Sequence, residues 1–138
     1  MRDGKPTVLV VEDEDAVRSL IVAILRLSGF EALHCGDAVA AQDLMAVHGN
    51  YIQLVVTDVN LGPDLGGIEL ARDLRGQFPH LSVLYISGLA DDSPLDAELR
   101  AGRTHFLPKP FTPKSLAAMV TSILDDRYRM APGDPVLE

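Results

Sequence analysis

Four short apolar runs in this sequence each stop on residues that can handle a phosphoryl group and a cation. Val8-Leu9-Val10-Val11 stops at Glu12-Asp13, and Leu54-Val55-Val56-Thr57 stops at Asp58. The run over 81–86 stops at Ser87-Gly88, and the run over 104–107 stops at Pro108-Lys109-Pro110. Carboxylates at close range disfavour one another's ionisation, so Glu12, Asp13 and Asp58 gathered around one ammonium call for a further cation. Mg²⁺ suits such a set, because it takes hard oxygen ligands, keeps several waters and accepts one or two carboxylates plus a phosphate oxygen. In that setting a carboxylate can attack phosphorus and form an acyl phosphate. Lys109 and the Ser87 hydroxyl would neutralise charge on the equatorial oxygens of the transferred group. Each residue alone has a plainer reading, since acids and serines often end strands, start turns and cap the next helix. The run Glu12-Asp13-Glu14-Asp15 also suits a helix N-terminus. The agreement of all four ends favours a site.

For these residues to meet, the runs must be neighbouring strands. Val8 to Val11 is short and β-branched, as a strand buried on both faces requires. Val17, Leu20, Ile21, Ile24 and Leu25 then recur at helical spacing, and Ser28-Gly29 supplies a stop. The alternation continues with a strand over 31–35, a helix over 37–47, a strand over 54–57, a helix over 68–75 released by Gly66-Gly67, and a strand over 81–86. A short helix over 94–101 stopped by Gly102, a strand over 104–107 and a final helix complete it. Pro113 opens that last helix, where proline is tolerated, ahead of Leu116, Met119, Val120, Ile123 and Leu124. Five strands alternating with five helices imply an α/β fold: a doubly wound parallel sheet with helices on both faces. Ligands bind such sheets beyond the carboxyl ends of the strands, where the residues of all four run ends fall. The domain is expected over 1–125, and 126–138, with two prolines and a glycine, reads as a tail.

From the acidic pair to Leu107-Pro108-Lys109-Pro110-Phe111, the sequence resembles the receiver domains of response regulators in two-component signalling, over residues 7–125. The resemblance implies a flavodoxin-like sheet of order 2-1-3-4-5. It implies that Asp58 is the phosphoacceptor, that Glu12 and Asp13 hold Mg²⁺ with Asp58, and that the Asn60 backbone carbonyl is the remaining protein ligand. Ser87 would turn toward the phosphoryl group, Lys109 would pair with one of its oxygens, and Phe106 would swing inward as the switch residue. A cis Lys109-Pro110 bond is implied as well, and Pro110 by itself restricts Lys109 to extended geometry. By its position alone, Phe106 in a terminal strand is equally a core residue. The sequence departs from the family pattern in three places: Glu12 stands where aspartate is usual, the segment 60–67 is one residue longer with Pro63 displaced, and Gly102-Arg103 replaces Gly-Ala. The Ser87-Gly88 pair leaves room beside the site.

Composition narrows the partners. With 20 acidic and 12 basic residues among 138, the net charge of -8 disfavours direct binding to nucleic acid or an anionic membrane. No apolar run reaches the roughly 20 residues of a membrane span, and residues 1–6 do not open a signal peptide. The expectation is a cytoplasmic, stand-alone phosphoacceptor switch, not an enzyme in the metabolic sense. Its donor would be a histidine kinase or histidine phosphotransfer protein, and its output a downstream protein reached by a changed surface or a phosphorylation-dependent dimer. The lone Cys35 is expected to pack, and His34, His48, His80 and His105 show no ligand spacing. A haloacid-dehalogenase phosphatase would need a second acid at Asn60. A flavodoxin-like cofactor carrier would need a phosphate-cradling loop in place of the acidic run at 12–15. A receiver-fold interaction module that is never phosphorylated is the remaining alternative.

Overall fold

The computed structural model describes residues 5–61, 66–88 and 103–129. Its elements run β1 (Thr7–Val11), α1 (Asp15–Leu27), β2 (Glu31–Cys35), α2 (Ala38–His48), β3 (Ile52–Asp58), α3 (Gly67–Gln77), β4 (Ser82–Ser87), β5 (Thr104–Pro108) and α4 (Pro113–Arg129). The five strands form one parallel sheet in the order β2-β1-β3-β4-β5, as expected. The helix expected over 94–101 lies outside the described residues, as does the loop over 62–65.

Alternation of side chains along each strand divides the core into two layers. Val8 and Val10 of β1, Leu54 and Val56 of β3, and Leu84 and Ile86 of β4 face Ile21 and Leu25 of α1 and Leu116, Val120 and Ile123 of α4. Leu9, Val11 and Val55 face Ala41 and Met45 of α2 and Leu70 and Leu74 of α3. Val83 and Tyr85 extend that second layer against Ile68 and Ala71. Strands β1 and β4 are buried along their whole length, whereas the edge strands β2 and β5 alternate with partly exposed positions.

The helix ends are built as their residues suggest. Gly29 takes a left-handed φ of 96°. With it the Phe30 amide reaches the Leu25 carbonyl at 3.0 Å and the Gly29 amide reaches that of Arg26 at 3.1 Å, which is the pairing of a Schellman stop. Asp37 caps α2 by accepting from the Ala40 amide at 2.8 Å. Thr112 and Ser115 exchange amide-to-hydroxyl bonds of 2.9 and 3.0 Å around Pro113 at the start of α4.

Three local expectations shift. Leu20 does not join the core: it is 48% exposed, while Val22 is buried in its stead. The buried face of α1 is centred on Ile21, Ile24 and Leu25, and Leu20 shares the outer side with Leu27. β4 begins at Ser82, although Leu81 is fully buried, and α4 continues to Arg129, past the boundary expected at 125. Among the described residues no helix is long and apolar enough to cross a membrane.

The phase of α1 can be tested with two leucines two positions apart. Leu25→Ala removes a fully buried side chain and should cost about 2–5 kcal/mol. Leu27→Ala, at 89% exposure, should stay within about 0.5 kcal/mol. Urea denaturation measures both, and equal effects would contradict the helix orientation.

Candidate functional site at the carboxyl rim of the sheet

Strand register carries the acidic residues to one another. Val11 of β1 is level with Thr57 of β3, so the next residues, Glu12 and Asp58, emerge side by side with the same alternation phase. Asp58 is level with Ile86, and Ile86 with Leu107. Leu107 belongs to the layer under α1 and α4, and Lys109, two residues on, returns to that side.

The side chains meet accordingly. Lys109 Nζ donates to Asp58 Oδ2 at 2.6 Å and lies 4.0 Å from Glu12 Oε1. The Asn60 amide donates to Asp58 Oδ1 at 2.8 Å, and the Glu14 amide donates to Glu12 Oε2 at 3.1 Å. Asp58 and Glu12 are both buried, Glu12 at 2% exposure. Ser87 is buried at the end of β4, where its carbonyl accepts from the Lys109 amide at 3.0 Å. The Lys109–Pro110 peptide is cis. Asp13 and Asn60 are exposed at the rim. Phe106 sits away from these charges, half-buried against the cluster of Ile68, Ala71, Val83 and Tyr85.

Burial pushes the Glu12 carboxyl up to about 7. The Glu14 amide and the Lys109 ammonium work against that rise, while the Asp58 charge and a hydrogen bond with Asp13 add to it. For Lys109, burial lowers the ammonium's proton affinity, but the hydrogen bond and charge of Asp58 outweigh it and hold it above its ordinary value. A single lysine thus faces two carboxylates, and one of those tends to keep its proton.

The sequence reading named the carboxylates and the lysine but not the groups that aim them. The amides of Glu14 and Asn60 hold one oxygen of each acid, and backbone donors leave no side-chain signature. Gly67 is a second omission: a Cβ there would lie 2.0 Å from the Asp58 carbonyl oxygen and 3.1 Å from Thr57 Oγ1. The Gly66-Gly67 pair marked a chain release, whereas its second glycine lets α3 start directly against the end of β3. Cys35 is half-buried, and burial pushes its thiol up to about 11, as a packing role requires. His48 bonds the Tyr51 hydroxyl and His80 the Ile52 carbonyl, so neither is a spare ligand.

A five-stranded doubly wound sheet whose carboxyl rim joins two buried acids to one lysine places the chain in the flavodoxin-like class of α/β domains that bind at strand ends. The family model for the response regulator receiver domain matches residues 8–121, and the chain belongs to that family, whose members act in two-component signalling. It is 38% identical over 125 residues to the sensor kinase CckA of Brucella abortus, covering 88% of this chain and 13% of that one. It is 36% identical over 117 residues to the response regulator MprA of a Mycobacterium species, covering 85% of this chain and 50% of that one. A crystal structure of a response regulator receiver domain protein from Clostridium thermocellum superposes with a TM-score of 0.83 at 23% identity, covering 91% of this chain and 98% of that one. The chain therefore spans half or less of the curated relatives just named.

Two outcomes follow from this geometry. In metal-free protein, Glu12 holds its proton between pH 4.5 and about 7, where the unfolded chain has released it. The folded state then binds more protons, so its stability should fall as pH rises through that window, and Glu12→Gln should remove this part of the slope. Denaturation in the presence of a chelator at several pH values measures it; identical slopes in both proteins would contradict the assignment. Gly67→Ala should destabilise by about 1–3 kcal/mol, since the methyl meets backbone that cannot swing aside. A thermal melt matching wild type would show the start of α3 to be looser than described.

Proposed function

We propose that the chain is a Mg²⁺-dependent phosphoacceptor switch in which Asp58 receives a phosphoryl group from a histidine kinase or a histidine phosphotransfer protein. The observation that carries this reading is the Lys109 ammonium 2.6 Å from the buried carboxylate of Asp58, with Glu12 beside it. Among the described residues no group of three or more His, Cys, Asp or Glu side chains is gathered so as to hold a metal ion by itself. An open pair of carboxylates with a third acid at the rim fits an ion that keeps part of its water shell, and it fits a structural zinc site poorly. Glu12, Asp13, Asp58 and the Asn60 carbonyl would hold Mg²⁺, which when bound neutralises charge on the transferred group.

The chain's own residues do the rest. The Asn60 amide, donating to Oδ1, orients the Asp58 carboxylate. A carboxylate oxygen forms the bond to phosphorus as the bond from phosphorus to the donor's imidazole nitrogen breaks, leaving an acyl phosphate on Asp58 and the electron pair on the donor. Lys109 then transfers its contact from Asp58 Oδ2 to a phosphoryl oxygen. Ser87, at the end of the neighbouring strand, supplies a hydroxyl to another. The new group adds a charge of about -1.5 to -2, and its charge-assisted bonds are the signal. Movement of Ser87 opens space for Phe106, which faces Tyr85 across the β4–β5 ladder, and the surface of β5 and α4 changes with it. Through that surface the protein binds a downstream partner or a second copy of itself, in the cytoplasm.

Incubation with Mg²⁺ and acetyl phosphate should add the mass of one phosphoryl group to wild type and nothing to Asp58→Asn. Lys109→Ala should slow the transfer by about 10²-fold, in line with removal of one preorganised charge from a phosphoryl-transfer site. Equal labelling of wild type and Asp58→Asn, or none in wild type, would sink the proposal and favour a module that works by binding alone. Phe106→Ala should still accept phosphate but lose the accompanying surface response, read by beryllofluoride-induced changes in α4 amide signals.

A further inference from the structure

We propose that Arg18 is a positioning residue that locks the Glu12–Glu14 turn in its cation-binding shape. The inference rests on the phosphoacceptor reading above and assigns to it a residue outside the carboxylate and lysine set.

The turn is the bend by which β1 hands the chain to α1, and an acid-rich bend of this kind has strong reason to spread. Each polar group of Glu12 is nevertheless engaged. Its amide donates to the Cys35 carbonyl at 3.1 Å, tying it to β2. Its Oε2 accepts from the Glu14 amide, and its Oε1 faces Lys109. Its carbonyl accepts from Arg18 Nη1 at 2.9 Å, the one of these bonds supplied by a side chain one turn inside α1. Arg18 Nη2 reaches Asp15 Oδ1 at 2.5 Å, so the planar fork spans the first residue of the turn and the first of the helix. The Arg18 side chain is 19% exposed, against 87% for Asp15. A solvated surface pair is worth little by itself, but a partly buried guanidinium seated on a backbone carbonyl is a different object.

The seat itself is formed by a glycine. A Cβ on Gly36 would lie 3.2 Å from Arg18 Nη1 and 3.8 Å from the Glu12 carbonyl oxygen. Gly36 thus leaves the place the guanidinium occupies, and the ends of β1, β2 and the start of α1 are joined through it. Removing the clamp frees the Glu12 carbonyl and lets residues 12–14 rotate. Two carboxylates that approach the cation from the rim then lose their common orientation. Partners of this outer kind tune metal affinity by about 10–100-fold in other sites.

Two measurements test this. In metal-free protein, Arg18→Gln should speed hydrogen exchange of the Glu14 amide while the Val10 amide of β1 keeps wild-type protection. In calorimetric titration with Mg²⁺ alone, Arg18→Gln should weaken binding by about 10-fold, and Arg18→Lys, which keeps the charge on a single donor nitrogen but not the fork, should recover part of it. Gly36→Ala, which displaces the guanidinium by a few tenths of an ångström, should act in the same direction and add nothing in an Arg18→Gln background. Uniform loss of protection across β1 and α1, unchanged exchange at Glu14, or wild-type Mg²⁺ affinity in Arg18→Gln would each overturn the assignment. Wild type that fails to bind Mg²⁺ would instead overturn the phosphoacceptor reading on which it rests.

Discussion

Negative charge is crowded at the carboxyl rim of this sheet, and the rest of the site is arranged around that crowding. Glu12 and Asp58 leave adjacent strands level with one another, both out of solvent, with a single ammonium between them. Lys109 sits hard against Asp58 and at arm's length from Glu12, so the balance is unequal. Burial leaves the Glu12 carboxyl inclined to keep a proton, because the Lys109 charge 4.0 Å away offsets its desolvation only in part. That deficit is what the proposed Mg²⁺, and after it a phosphoryl group, would offset.

The arrangement is a consequence of the parallel sheet. Every strand delivers its last residue to the same rim, so residues distant in sequence arrive together without any dedicated loop. Alternation then sorts them by side: Glu12, Asp58 and Lys109 emerge over the layer filled by α1 and α4, in phase with Val10, Val56 and Leu107. Packing below the rim and chemistry above it use one periodicity. A register slip of one residue in β3 would carry Asp58 to the wrong face as surely as it would move Val56 into the layer under α2 and α3.

Much of this was legible in the sequence because strands buried on both faces write themselves as unbroken apolar runs. β1, β3 and β4 were located by that signal, and the residues at their ends by position alone. The edge strand β2 wrote a weaker signal, because its pattern alternates with partly exposed positions and it was readable chiefly as a step in the repeating alternation. Leu20 misled because helical spacing identifies a periodic set without saying where the set is centred, and the core side of α1 is settled by what packs against Ile21 and Leu25. The aiming groups were out of reach for a different reason. The amides of Glu14 and Asn60 carry no residue identity, and Gly67 and Gly36 matter through the space they leave. Arg18 was a plain helix residue until the carbonyl it holds was in view.

The pairing of Asp58 with Lys109 joins residues 51 positions apart and draws its positive partner from the segment just past β5, which among the described residues is a border strand of the sheet. Border strands detach at a smaller free-energy cost than the strands between them, in openings that leave most of a domain intact. Such an opening would strip the carboxylate of its counter-ion while β1, β3 and the helices beneath them stayed folded. For the proposed phosphoacceptor, the anchoring of one border ribbon would then set how often the rim is competent, a quantity that a global melting temperature does not report.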